Sequence, residues 1–101
     1  MSADLRGLAD IDRVIHEPAR LAIVTILSLV ESADFLYLQR EAGLTKGNLS
    51  FHLAKLEEAG YVSIEKTYRG RVPLTLVRLT PEGAAALREY RAQLREFLKK
   101  G

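Results

Sequence analysis

Apolar residues recur along this chain first with a helical period and then with a strand period. Leu5, Leu8, Ile11 and Ile15 fall on one face of a short helix from about Asp4 to His16. Glu17-Pro18 ends it, because a residue before proline avoids the helical region while proline suits a first helical turn. A second helix is expected from Pro18 to Val30. Its residues Leu21 to Val24, Ile26, Leu27, Leu29 and Val30 are apolar nearly all round, as suits a helix at the centre of a domain. Glu31 to Asp34 reads as a polar turn, with Asp34 capping a short helix that ends at Ala42. Gly43 supplies the left-handed residue that a helix C-cap needs. Thr45 then caps a helix from Lys46 to about Ala59, whose buried stripe is Leu49, Leu53 and Leu56.

Beyond Gly60 the period shortens to two. Tyr61 to Tyr68 alternates apolar and polar residues, Leu74 to Leu79 does so more loosely, and Arg69 to Pro73 between them forms a turn. The pattern predicts a β-hairpin with a basic tip. Thr80-Pro81-Glu82 restarts a helix with a cap, a first-turn proline and a first-turn acid, and this helix runs to about Lys100.

Charge adds a second layer. The 101 residues hold 15 Lys and Arg against 13 Asp and Glu, a net charge of +2. Residues 1–30 carry three bases and four acids, and residues 31–61 carry three and five. Residues 62–80 carry four bases and one acid, and residues 81–101 carry five and three. An acidic first half is thus joined to a basic second half, with the strongest excess at Lys66, Arg69, Arg71 and Arg78. Such asymmetry suits an anionic partner, although two extra charges would be equally at home on a solvated surface.

Composition removes other classes. The absence of cysteine excludes disulfide frameworks, thiolate metal sites and cysteine nucleophiles. The longest apolar run, Leu21 to Val30, is interrupted by Thr25 and Ser28 and is too short to span a bilayer. A soluble cytoplasmic protein is expected, without membrane association. No phosphate loop, nucleotide fingerprint or serine triad motif is present, so an enzyme is not expected, nor is a cofactor. His16 and His52 have no third partner at metal-site spacing.

A short helix, a tight turn containing Gly43 and a longer helix form a helix-turn-helix by spacing, at about 34–60. The hairpin at about 61–80 adds a wing. The segment Leu44 to Val62, with Lys46-Gly47-Asn48-Leu49-Ser50-Phe51-His52 at its centre, resembles the recognition helix and following strand of winged-helix transcriptional regulators. Leu79-Thr80-Pro81-Glu82-Gly83 resembles the phrase that closes the wing in the same proteins. The likeness is to the small MarR/ArsR-like group and covers nearly the whole chain as a single domain, 1–101. It implies a mainly α fold with a small β-hairpin: a three-helix core plus wing, with N- and C-terminal helices for dimerisation. It also implies a dimeric DNA-binding transcription factor.

The residues support the same reading independently. With the leucine stripe buried, Lys46, Asn48, Ser50, Phe51, His52 and Lys55 remain on the outer face of the recognition helix. A helix fits the major groove, where Asn48 suits an adenine edge, Ser50 a base or phosphate, and Phe51 a thymine methyl. Lys46 and Lys55 suit phosphates. Arg69 and Arg71 flank Gly70 at the wing tip, either entering a minor groove or forming a solvated turn. Tyr37 and Gln39 either touch phosphates or are simply exposed. His52 either meets DNA or packs on the surface, and His16 suits the end of the first helix through the helix dipole.

The last helix presents Leu87, Tyr90, Leu94 and Phe97 in a 3-4-3 pattern, with Leu98 alongside. This stripe is either a dimer seam, joined by Leu8, Ile11 and Ile15, or a face packed on its own domain. A two-fold homodimer implies a pseudo-palindromic site on double-stranded DNA, and a repressor that occludes a promoter is the expected mode. A small-molecule effector has no supporting constellation. The rival from another class is a winged-helix protein-interaction module without specific DNA binding. The face formed by Lys46, Asn48, Ser50 and Lys55 favours DNA over it.

Overall fold

The computed structural model describes residues 10–100. Its elements are α1 (Pro18–Leu27), β1 (Ala33–Asp34), α2 (Phe35–Ala42), α3 (Lys46–Glu58), β2 (Val62–Arg69), β3 (Val72–Leu79) and α4 (Pro81–Lys100). The three strands form one antiparallel sheet in the order β1-β3-β2.

Local chemistry sets most boundaries. Asp34 caps α2 by accepting from the Tyr37 N–H at 2.8 Å, and Thr45 caps α3 by accepting from the Asn48 N–H at 3.1 Å. Gly43, with φ +67°, turns the chain out of α2 so that α3 can pack across it. α1 starts at Pro18 after Glu17, whose carboxylate accepts from the Arg20 N–H at 2.9 Å. It stops at Leu27, three residues short of the expected Val30. The Ser28 hydroxyl takes the Thr25 carbonyl at 2.6 Å, and the Leu29 N–H turns to Ile26 instead. Leu29 is therefore left 80% exposed.

Three further expectations change. The segment 10–16 is a turn, where a helix from Asp4 to His16 was expected. Asp12 Oδ1 accepts from the N–H groups of Val14 and Ile15 at 2.8 and 3.1 Å, which closes the turn locally. Leu5, Leu8 and the rest of that expected helix before residue 10 lie outside the described residues. Ala33 and Asp34, read as part of a polar turn, form β1 and pair with Val77 and Leu76. The wing is also longer than its alternation indicates. Val72 and Pro73 belong to β3, and only Gly70 and Arg71 make the turn. Gly70 carries the positive φ (+63°) that such two-residue hairpin turns demand. Pro73 faces Tyr68 one step from the turn pair, where alternation of the ladder leaves its missing N–H without a cross-strand duty.

One core joins all these elements. Ile11, Ile15, Ile23, Val24, Leu27, Leu38, Leu49, Leu53, Leu56, Val62, Val77, Leu87 and Tyr90 are buried in a single cluster. Each fully buried aliphatic side chain of this kind contributes roughly 1.5–3 kcal/mol. Ile11, Ile15, Leu87 and Tyr90 were expected at a dimer seam. Here they fill the protomer's own core, so their burial requires no second copy. Leu94 is half-buried against the same core, Phe97 is half-exposed, and Leu98 is 65% exposed. The described molecule measures 60 × 25 × 21 Å. A 20-residue helix is about 30 Å long, more than this core can cover.

Candidate nucleic-acid interface

α3 buries Leu49, Leu53 and Leu56 and turns its other side outward. Lys46, Asn48, Ser50, Phe51 and Lys55 are exposed, Phe51 by 56%. The Lys55 ammonium stands 5.6 Å from the centre of the Phe51 ring, an arrangement that holds both side chains on the outer face. The N-terminal end of α3 carries Lys46, Asn48 and Ser50, beside the backbone N–H groups that a helix start offers to an anion.

A groove of about 870 Å³ runs between α3 and the hairpin. Lys46, Ser50 and Ala54 line it from the helix, and Lys66, Arg69 and Thr75 from the strands. Its cations are Lys46, Lys66 and Arg69, against the carboxylates of Asp34 and Glu57. Lys66 was visible in the sequence only as part of the basic stretch. Its parity with Ile64, which packs on the core, places it on the groove side of the sheet. At the wing tip Arg69, Arg71, Tyr68 and Val72 are all exposed, Tyr68 by 69% and Val72 by 64%. Arg78, the remaining base of that stretch, is paired with Glu65 at 3.2 Å, so it adds little net charge to the wing.

The other expected contacts differ among themselves. Tyr37 and Gln39 are half-buried on α2, and the exposed guanidinium of Arg40 lies 6.0 Å from the Tyr37 ring centre. His52 is turned away from the outer face. Its side chain is only 13% exposed, and Nδ1 lies 3.0 Å from Arg20 Nη1 on α1. His52 Nε2 is 3.8 Å from Glu17 Oε2. Burial pushes the Glu17 carboxyl up, but the Arg20 and Ala19 N–H groups and the charge of the Arg20 guanidinium outweigh it and hold it below the ordinary carboxylate value. His16 bonds the Tyr90 hydroxyl through Nδ1 at 2.9 Å, where an interaction with a helix end was expected. No three His, Asp or Glu side chains gather in metal-binding geometry among the described residues. No helix among them is long and apolar enough to cross a membrane.

Known proteins share this fold. The family model described as a winged helix DNA-binding domain matches residues 19–98. An uncharacterized protein of Methanocaldococcus jannaschii is 34% identical over 88 residues, which span 86% of this chain and 95% of that protein. The structure of a transcriptional regulator homologue from Pyrococcus horikoshii OT3 superposes with a TM-score of 0.87 at 29% identity, covering 94% of this chain and 96% of the other. A MarR-family transcriptional regulator from Silicibacter pomeroyi gives a TM-score of 0.67 at 23% identity, over 94% of this chain and 66% of its own. At that identity the likeness is one of fold.

Proposed function

The chain belongs to the winged helix DNA-binding domain family, and from that premise we propose that it is a sequence-specific, double-stranded DNA-binding transcriptional regulator. In this reading it works in the cytoplasm as a homodimer and represses by occluding a promoter. The observation that carries the reading is the continuity of one surface: the exposed polar end of α3, the groove beside it with Lys46, Lys66 and Arg69, and the arginine-bearing wing tip. The similarity to the Pyrococcus regulator homologue, which extends over nearly the full length of both chains, supports it.

α3 enters the major groove from its N-terminal end. Asn48 takes an adenine edge, Ser50 a base or phosphate, and Phe51 a thymine methyl. Lys46 and Lys55 take phosphates and set the register. The strand of DNA next to the helix passes along the groove, where Lys66 joins Lys46 in neutralising it. Arg69 and Arg71 reach the adjoining minor groove, and Tyr37 and Gln39 touch the backbone from α2. The second protomer docks along the protruding end of α4, through Leu94, Phe97 and Leu98. The modest charge of each protomer makes two half-sites necessary, about one helical turn apart.

Selection of bound sequences from random double-stranded DNA tests the class, the half-site spacing and the dimer together. A pseudo-palindromic motif, bound with steep salt dependence, is the expected outcome. Recovery of no enriched sequence would overturn the reading.

A further inference from the structure

We infer that His52 is a positioning residue: bonded to Arg20, it fixes the roll of the recognition helix against α1, and through it the placement of Asn48, Phe51 and Lys55. The claim rests on the DNA-binding reading only for its consequence. Its geometry stands on contacts within the protomer.

Arginine has donors and no acceptor. The 3.0 Å contact between Arg20 Nη1 and His52 Nδ1 therefore makes Nδ1 the acceptor and leaves the imidazole proton on Nε2, which faces Glu17 Oε2 at 3.8 Å. Arg20 also donates from Nε to the Val14 carbonyl at 2.6 Å, and its own N–H goes to Glu17 Oε1 at 2.9 Å. Arg20 thus joins the turn at 10–16 and the middle of α3 through its guanidinium, and Glu17 through its backbone N–H. Glu17, Arg20 and His52 close a ring of contacts.

The leucine stripe of α3 cannot supply this by itself. Apolar burial is non-directional, and it tolerates small rotations of a helix about its axis. A directional bond from a rigid guanidinium does not. Phe51 adjoins His52 in sequence and meets its ring edge-on, with centroids 5.2 Å apart. A roll at His52 is therefore passed directly to the outer face.

Two variants separate this role from bulk stability. His52→Asn places an amide oxygen near the position of Nδ1 and keeps an acceptor for Arg20, whereas His52→Leu fills similar space without one. Amide hydrogen exchange of the DNA-free protein is the first measurement, with α3 amides read relative to those of α2 and α4. Relative exchange of α3 is expected to rise about tenfold in His52→Leu and to stay within about threefold of wild type in His52→Asn. Uniform acceleration of all helices, or equal behaviour of the two variants, overturns the inference.

The second measurement is the ratio of specific to non-specific DNA affinity, on the selected motif and on a random duplex. His52→Leu is expected to lower that ratio about tenfold, with non-specific binding unchanged, and His52→Asn to retain it. An unchanged ratio in His52→Leu overturns the positioning role even if exchange rises. If wild-type protein binds no DNA, its role as a DNA-binding regulator fails, and the exchange data alone decide whether His52 holds the helix.

Discussion

The backbone carbonyl of Tyr61 occupies the place that a β-carbon on Gly83 would need. Gly83 lies in the first turn of α4, and any side chain there would also press on the Leu79 side chain at 2.8 Å. Thr80 draws the two segments together. Its N–H donates to the Tyr61 carbonyl at 3.0 Å, its hydroxyl donates to the Gly60 carbonyl at 2.7 Å, and the same hydroxyl accepts from the Gly83 N–H at 2.9 Å. The corner leaving the recognition helix is thereby fastened to the corner leaving the wing.

Gly83→Ala should therefore destabilise the protein by about 2 kcal/mol or more, through overpacking against backbone that cannot move aside. In an open helix the same change would stabilise by up to about 1 kcal/mol. The sign of the shift in a urea unfolding midpoint decides between the two.

Tyr61 donates its hydroxyl to Asp12, fastening the turn at 10–16 to the corner after α3. That bond, partial burial and the carboxylate charge push the phenol up to about 12 from an ordinary 10.0. A raised folded-state value means that the stabilisation is complete below pH 10, fades between 10 and 12, and is lost above. Tyr61→Phe should cost about 1–2 kcal/mol at neutral pH. The gap between wild type and variant should narrow through that alkaline window in denaturant titrations.

On DNA, Arg71→Ala and Lys66→Ala should each weaken binding across all sequences. Each should also reduce the slope of log affinity against log salt by roughly 1. Asn48→Ala should instead cost roughly 1–3 kcal/mol at particular base pairs and relax selectivity there. Competition binding at several salt concentrations distinguishes the two patterns.

The two parts of α4 should respond oppositely to substitution. Leu87→Ala opens a cavity in the protomer core and should cost about 2–5 kcal/mol of unfolding free energy. Leu98→Asp touches an exposed position and should leave the protomer folded. It should weaken the dimer by about 2 kcal/mol or more, because an unpaired charge would be buried between copies. Sedimentation equilibrium alongside thermal unfolding reads both effects.

Much of the fold was legible because its determinants are local. The leucine spacing of α3, the caps at Asp34 and Thr45, the stop at Gly43 and the change of period after Gly60 each act within a few residues. The outer face of α3 followed by subtraction once its stripe was known. Lys66 was legible only as one charge in a basic stretch, since its placement depends on how the hairpin lies across α3. His52 stands three residues after Leu49 and four before Leu56, so helical spacing already put it beside the buried stripe; its partners Glu17 and Arg20, at the start of another helix, left no such mark.

Local pattern is enough to place the helices α1 to α4, the hairpin of β2 and β3, the caps at Asp34 and Thr45, and the outward side of the recognition helix apart from His52. Contacts across the fold bury Ile11, Ile15, Leu87 and Tyr90 within the protomer, add Ala33 and Asp34 as a third strand, and require Gly83 to lack a side chain. Periodicity reports that a face is buried but carries no label for what buries it. That choice is made by contacts between residues far apart in the chain.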